Sequence, residues 1–336
     1  METHSSIDTT LPIPGLSDVF DARRIIHKYL SVTPLYRYPG LDALIGTTVY
    51  VKHENYQPVG AFKIRGGLNL ISRLTPDEKQ MGVICASTGN HGQSVAYASR
   101  LFGVVSRIVV PKNANPGKVI AMQGMGSQVI FHGTDFDEAR GFCEELALRE
   151  GYRYIHSGDE PLLIAGVATE TLEMIESQPR LDAILVPVGG GSGAAGACIT
   201  AKAIRPSIRI IGVQSEAAPA AYETWRQGMR IEIPSKTIAE GLATGTPFSL
   251  PQVIMRRMMD DFILVSEDEI KQAVLWMIER AHTLSEPAGA APLAGAFKIK
   301  ESIRGLNVGL VCSGGNISIE QLKMIIDRGI GTTSNG

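Results

Sequence analysis

The chain has 336 residues, 44% hydrophobic and 20% charged, with a formal net charge of −2. This is an ordinary soluble globular composition, of a length that suggests two domains or one large α/β unit, without the basic footprint of a nucleic-acid binder. No apolar run approaches a bilayer span, and residues 1–15 lack a charged-then-apolar leader, so a cytoplasmic protein with no membrane partner is expected.

In chain order, Val19, Ala22, Ile26 and Tyr29 share one face of a helical pattern over 18–30. A strand is predicted at Val49–His53, then a Pro/Gly-rich loop that delivers Lys63 to a helix start. Strands follow at Gly82–Ala86, Arg107–Pro111 and Gln128–His132, with a helical pattern at Ser94–Phe102. A helix over 135–150 opens with Asp135-x-x-Glu138 and stops at Gly151. Further strands are predicted at Ala183–Val188, Ile208–Gln214, Phe262–Val265 and Val308–Cys312. Ser266 and Glu269 form a capping box for a helix over 266–284, with Ile270, Val274, Met277 and Ala281 on its apolar stripe. The tail Thr332–Gly336 is small and polar and is expected to fray. Alternating strand and helix implies largely parallel sheets flanked by helices. Two stretches stand out, one over 81–159 and one from about 160 onward, with a cleft between the lobes. Cys85, Cys143, Cys198 and Cys312 lack metal or redox spacing and read as buried thiols. His132 and His156 lie near strand ends and read as structural.

Four segments carry chemistry. In Pro58-Val-Gly-Ala-Phe-Lys-Ile-Arg-Gly-Gly67, a partly desolvated Lys63 has a lowered pKa and a nucleophilic amine. An aldehyde cofactor would be captured there as a Schiff base. In Ser87-Thr-Gly-Asn-His-Gly-Gln93, a strand passes through a glycine turn into a helix, so backbone N–H groups of Ser87, Thr88, Gly89, Asn90 and His91 can hold a substrate carboxylate. Asn90 can donate to a phenolate. In Pro187-Val-Gly-Gly-Gly-Ser-Gly193, the residues Gly189, Gly190, Gly191, Ser192 and Gly193 let a phosphate approach the backbone at a helix N-terminus. In Leu310-Val-Cys-Ser-Gly-Gly-Asn316, Ser313 at a strand end can face a ring nitrogen. Aldehyde, phosphate, phenolate and ring nitrogen are the functional groups of pyridoxal 5′-phosphate. A competing pattern overlaps the third segment. Gly191-x-Gly193-x-x-Gly196, with Glu216 twenty residues further on, matches a dinucleotide fingerprint. An NAD-dependent oxidoreductase is the reading from that other class, and it leaves Lys63 and the 87–93 loop without a role.

These motifs resemble the fold-type II pyridoxal-phosphate enzymes (tryptophan synthase β-like), in the threonine dehydratase and serine racemase branch. The similarity runs from about Thr33 to Ile326. It implies two open, twisted, mostly parallel sheets with the cofactor in the interdomain cleft. It also implies a large domain of 1–80 and 160–336, a small inserted domain of 81–159, and a homodimer. Phe62 would pack on the ring, Lys63 carry the aldehyde, Asn90 bond the ring 3′-oxygen, the 189–193 loop the phosphate and Ser313 the ring nitrogen. Glu286 matches a position near the cofactor, and Glu240 does so more weakly. The implied activity is β-elimination from a β-hydroxy amino acid such as L-threonine or L-serine, giving a 2-oxo acid and ammonia, with Lys63 as the base. Thr88 stands where serine racemases have a serine acting on the opposite face and threonine dehydratases an alanine, so racemisation is an alternative. So is dehydration of a specialised substrate, such as 3-hydroxyaspartate, phenylserine or a hydroxyectoine catabolite. Ser192 interrupts the family's glycine run, and Ala165–Thr169 departs from its usual Ala-Gly-Gln-Gly-Thr. Glu216 matches the first acid of a cation site found in some members. Tyr222 replaces the second, so no metal is expected.

Overall fold

The computed structural model describes residue 7 and residues 9–330; the tail Thr332–Gly336 lies outside them. Its strands are β1 (Leu35–Arg37), β2 (Thr48–His53), β3 (Val83–Ala86), β4 (Ser106–Val110), β5 (Gln128–Phe131), β6 (Arg153–Tyr154), β7 (Ala183–Pro187), β8 (Arg209–Ser215), β9 (Asp261–Val265) and β10 (Asn307–Cys312). They form a six-stranded sheet ordered β1-β2-β10-β7-β8-β9 and a four-stranded sheet ordered β5-β4-β3-β6. Every pairing is parallel except β1 with β2. All eight expected strands are present, with ends shifted by at most one residue. The expectation omitted β1 and β6, which at three and two residues are too short to show a period.

Strands β7, β8 and β10 are buried along nearly their whole length, as parallel strands covered on both faces must be. Their alternate residues feed two cores. Leu185, Val213 and Leu310 pack against Ile270, Val274 and Leu293. Ile184, Val186 and Ile210 pack against Leu172, Ala194 and Cys198 on the opposite face. The smaller sheet divides likewise, with Cys85, Ile108 and Val110 on one side and Ile84 and Val109 on the other. The four cysteines are free and buried.

The helix expected over 18–30 is Leu16–Ile26, burying Val19, Ala22 and Ile26. Tyr29 falls beyond its end and instead sets its ring edge-on to Phe102, 5.3 Å between centroids. Helix Phe136–Glu150 is capped by Asp135, whose side chain accepts from Glu138 N, and ends at Gly151 with φ +75°. Helix Glu267–Ala281 has the expected Ser266/Glu269 capping box and apolar stripe. It stops earlier than predicted because His282 turns to a left-handed φ of +51°.

Helix Lys63–Ser72 begins at the lysine singled out in the sequence, and a buried charge cluster anchors it. Arg65 Nε and Nη2 donate to Glu54 at 2.7 and 2.8 Å. Its Nη1 and Nη2 donate to Glu173 at 2.7 Å each. Lys52 Nζ donates to Glu173 Oε2 at 2.5 Å and to Thr33 O at 2.8 Å. Two cations thus face two carboxylates inside the protein. Backbone contact tightens the joint: a Cβ on Gly166 would stand 2.5 Å from Arg65 O, so helix Pro161–Ser177 lies against the lysine helix at glycine distance.

Burial raises the Glu54 carboxyl, but the adjacent Arg65 guanidinium outweighs it and holds Glu54 below the usual range. Glu173 is lowered in the same way, with burial opposed by its hydrogen bonds to Arg65. A depressed carboxylate stabilises the fold fully above its unfolded value of about 4.3 and loses that contribution as the pH falls below it. Buried His53 and His91 are held neutral below the unfolded histidine value of about 6.5, so urea stability should begin to decline as the pH falls through about 6.5 and decline further below about 4.3, where the carboxylate contribution is lost. Arg65→Met, which strands two carboxylates, should cost about 3–5 kcal/mol by urea denaturation. A cost below about 1 kcal/mol would show that the cluster does not anchor the helix.

Candidate active site

Lys63 is the first residue of its helix. Its Nζ donates to Ser157 O and to Ser192 Oγ, each at 2.8 Å. Burial lowers its pKa to about 8, against an opposing pull from Glu170. The Phe62 ring centroid is 5.4 Å from that nitrogen, and Phe62 N donates to Ser313 O at 3.0 Å. This bond, with the isolated bridge between Ala61 and Gly314, ties the lysine loop to the end of β10.

Loop 87–91 leaves the end of β3. The helix expected from Ser94 begins at Asn90, because Ser87 Oγ accepts from Gly92 N at 2.9 Å and Gly89 N at 3.2 Å. That side chain takes up amides of the turn and lets the helix start earlier. Asn90 Nδ2 donates to Glu286 Oε1, and Asn90 Oδ1 accepts from Asn316 Nδ2, both at 2.8 Å. Glu286 thus lies beside Asn90, buried, its carboxyl raised by burial against the lowering effect of Lys118 and the Asn90 bond. Burial and then the Lys63 charge push His91 down to about 3. His91 is therefore neutral, with Nε2 3.2 Å from Ile155 O.

The 189–193 loop leaves the end of β7 for the thirteen-residue helix Ser192–Ile204. Its first two glycines leave no room for a side chain. A Cβ on Gly189 would stand 2.3 Å from Gly241 O, and one on Gly190 1.9 Å from Phe248 Cε2. Gly191 has φ +89°, a region open to glycine. A bare backbone turn at a helix N-terminus suits one phosphate, and the lysine amine lies on the hydroxyl of the same turn. A phosphorylated aldehyde matches both groups.

Every predicted cofactor and substrate residue lines one cavity of about 530 Å³: Phe62, Lys63, the 87–91 loop including Thr88, the 189–193 loop, Glu286 and Ser313. Glu240 lines it too and pairs with Lys118. Glu216 does not line it; its Oε1 lies 3.2 Å from Lys298 Nζ. The dinucleotide reading loses its ribose acid on that ground, and Gly196 serves helix packing, its Cβ position 2.9 Å from Ala168. Tyr222 packs edge-on against Phe262. No group of three or more His, Cys, Asp or Glu among the described residues could hold a metal. The Asp159 amide donates to His156 Nδ1 at 2.7 Å and His132 stacks on Phe142, both bracing the fold. The expectation missed Ser157, Phe248, Lys118 and Arg140. Of these, only Lys118 carried a local signal, in the helix start Asn115-Pro116-Gly117-Lys118.

The sheets and this cavity define a fold-type II pyridoxal-phosphate enzyme. The family model described as "Pyridoxal-phosphate dependent enzyme" matches residues 26–314. The chain is 35% identical over 316 residues to L-threonine ammonia-lyase of Thermotoga maritima, covering 94% of this chain and 79% of that protein. It is 34% identical over 315 residues to L-threo-3-hydroxyaspartate ammonia-lyase of Saccharomyces cerevisiae, covering 94% and 97%. The structure of maize serine racemase superposes with TM-score 0.89 at 31% identity, covering 95% and 99%. This chain belongs to the pyridoxal-phosphate dependent enzymes, in the threonine dehydratase and serine racemase branch, with pyridoxal phosphate as its cofactor.

Two outcomes follow from the geometry. Capture of the aldehyde needs the free Lys63 amine, so cofactor loading of the apoprotein should speed up as pH rises toward about 8 and level off above it. Stopped-flow absorbance reads this, and a rate still climbing steeply at pH 10 would contradict the lowered value. Gly189→Ala should weaken cofactor binding at least about tenfold while the far-ultraviolet circular dichroism is kept, because its methyl meets backbone rather than a mobile side chain.

Proposed function

We propose that this protein removes water from a β-hydroxy amino acid, such as L-threonine or L-serine, and releases a 2-oxo acid and ammonia. One observation carries the reading: the Lys63 amine lies 2.8 Å from Ser192 Oγ of the glycine cradle, in the same cavity as the Ser87–His91 loop. The ammonia-lyase names of the two relatives support it. Pyridoxal phosphate, when bound, supplies the electron sink that makes the α-proton acidic.

The chain's own groups do the rest. Gly189 to Gly193 would hold the phosphate, Phe62 would pack on the ring, Asn90 would donate to the phenolic oxygen and Ser313 would meet the ring nitrogen. Glu286 orients Asn90 through their hydrogen bond. The amides at the start of helix Asn90–Phe102 hold the α-carboxylate. The Lys63 amine, freed by the substrate, takes the α-proton as general base. The β-hydroxyl leaves as water with the proton that Lys63 took from Cα, and the released unsaturated amine hydrolyses in solution. Thr88 lines the cavity and carries the second reading, in which its hydroxyl returns a proton to the opposite face; the likeness to serine racemase structures favours keeping it. The proposal extends to a cytoplasmic homodimer, on the resemblance. It also takes 81–159 as a small domain set into the large one, a division supported by the four-stranded sheet drawing its strands from residues 83–154.

The test is 2-oxo acid release by the cofactor-loaded enzyme. Lys63→Ala should lose at least about 10³-fold in turnover without losing the fold. Exchange of the α-hydrogen with solvent deuterium and inversion, without 2-oxo acid, would replace elimination by racemisation.

A further inference from the structure

The Lys63 amine has two hydrogen-bond acceptors, and the surrounding structure fixes both. Its Nζ donates to Ser157 O and to Ser192 Oγ at 2.8 Å, and among the described residues these are its only hydrogen bonds. The Ser157 carbonyl belongs to a turn wound on His156, whose Nδ1 accepts from Gly158 N at 3.1 Å and from Asp159 N at 2.7 Å. Asp159 Oδ1 in turn accepts from Leu250 N at 2.8 Å, and the Phe248 ring lies edge-on to His156 with centroids 4.6 Å apart. Ser192 is the first residue of its helix and is 2% exposed. The residue after it packs on the lysine loop, since a Cβ on Gly193 would stand 3.2 Å from Phe62 Cε2. The lysine backbone is held as well: Ser94 Oγ donates to Lys63 O at 2.6 Å. A neutral amine carries two N–H groups and one lone pair on a tetrahedral nitrogen. With both N–H groups taken by the wall, the lone pair takes the one direction left, and Lys63, Ser157 and Ser192 all line the cavity.

We propose that Ser192 is a positioning residue for Lys63: with the Ser157 carbonyl, its hydroxyl oxygen takes the N–H groups of the amine and aims the lone pair into the cavity. One arrangement serves two steps. In cofactor capture the lone pair attacks the aldehyde carbon, a C–N bond forms, and the carbonyl oxygen leaves as water with the two amine protons. In turnover the same lone pair takes the α-proton of the substrate, and that half of the inference rests on the elimination reading. Without the hydroxyl, one N–H loses its acceptor and the amine is free to turn about its last bonds. The loss falls on rate, because orientation of the attacking group is what the contact supplies. Ser192 Oγ accepts from the lysine and so keeps its own O–H for the phosphate. The two roles of the hydroxyl therefore separate with an aldehyde that has no phosphate.

Stopped-flow absorbance follows capture of pyridoxal 5′-phosphate and of pyridoxal by the apoprotein. Rates are compared at saturating aldehyde on the plateau above about pH 8, where the amine is free. Ser192→Ala and Ser192→Gly should each slow capture of both aldehydes about fivefold, the effect of one lost hydrogen bond on a rate, with the far-ultraviolet circular dichroism kept. Slowing with pyridoxal 5′-phosphate alone makes Ser192 a phosphate ligand only and overturns the inference. Unchanged rates with both aldehydes overturn it as well. For elimination, the loaded Ser192→Ala enzyme should release 2-oxo acid with kcat lowered about fivefold and KM little changed. Deuterium at the α-carbon should then slow kcat more than it does in the parent enzyme. Slowed pyridoxal capture, with no 2-oxo acid from any β-hydroxy amino acid even by the parent enzyme, supports the lysine orientation and rejects the elimination reading. Unchanged pyridoxal capture with parental 2-oxo acid release by the variant sinks the orientation and leaves the dehydratase reading standing.

Discussion

The guanidinium of Arg65 decides where the reactive amine stands. It sits two residues beyond Lys63 and is clamped by Glu54 on one side and Glu173 on the other. Those partners come from the end of the strand before the lysine loop and from helix Pro161–Ser177. Lys52 and Thr33 complete the cluster. Buried ions are costly unless their partners satisfy them, so the arrangement tolerates little displacement of any member. The first turn of the lysine helix inherits that rigidity. A nucleophile that must meet an aldehyde in one orientation gains from a fixed base.

Around that fixed point the site is defined by what is left out. Gly189 and Gly190 allow no side chain because Gly241 and Phe248 stand against them. The phosphate turn is thus shaped by its neighbours as much as by its own backbone. Ser192 departs from the family's glycine run, yet its hydroxyl meets the lysine amine. The departure adds a donor–acceptor group to the cradle without adding a clash.

Much of this was legible in the sequence because the local physics is local. Apolar runs such as Ala183–Val188 are strands buried on both faces, and a strand followed by a glycine turn announces an anion-binding helix start. The capping box at Ser266 and Glu269 fixed a helix entry that the structure shows to the residue. The helix exit at His282 was missed, since a left-handed residue that is not glycine leaves no compositional mark. The start at Asn90 was missed because the Ser87 hydroxyl's hold on the turn amides is a fact of geometry. Ser157, Phe248 and Arg140 reach the cavity from segments distant in sequence, and nothing in their own neighbourhoods distinguishes them from surface or core residues. Glu216 errs in the opposite direction: its spacing fitted a ribose-binding acid, while its position at the end of β8 directs it to Lys298.

The strand order also bears on how the chain assembles. In the six-stranded sheet, β10 lies between β2 and β7, so a strand made early waits for one made last. During synthesis the smaller sheet, whose strands are contiguous in the chain, has all its partners long before the larger sheet has its centre. β2 emerges with the edge that will face β10 unpaired and carries Lys52, while Glu173 arrives more than a hundred residues later. The nascent chain thus carries an unpartnered Lys52 until about its midpoint and an open strand edge until β10 is made near its C-terminal end. That interval is one in which such chains are open to wrong pairing, and it is the cost of building one cleft from both ends of a polypeptide.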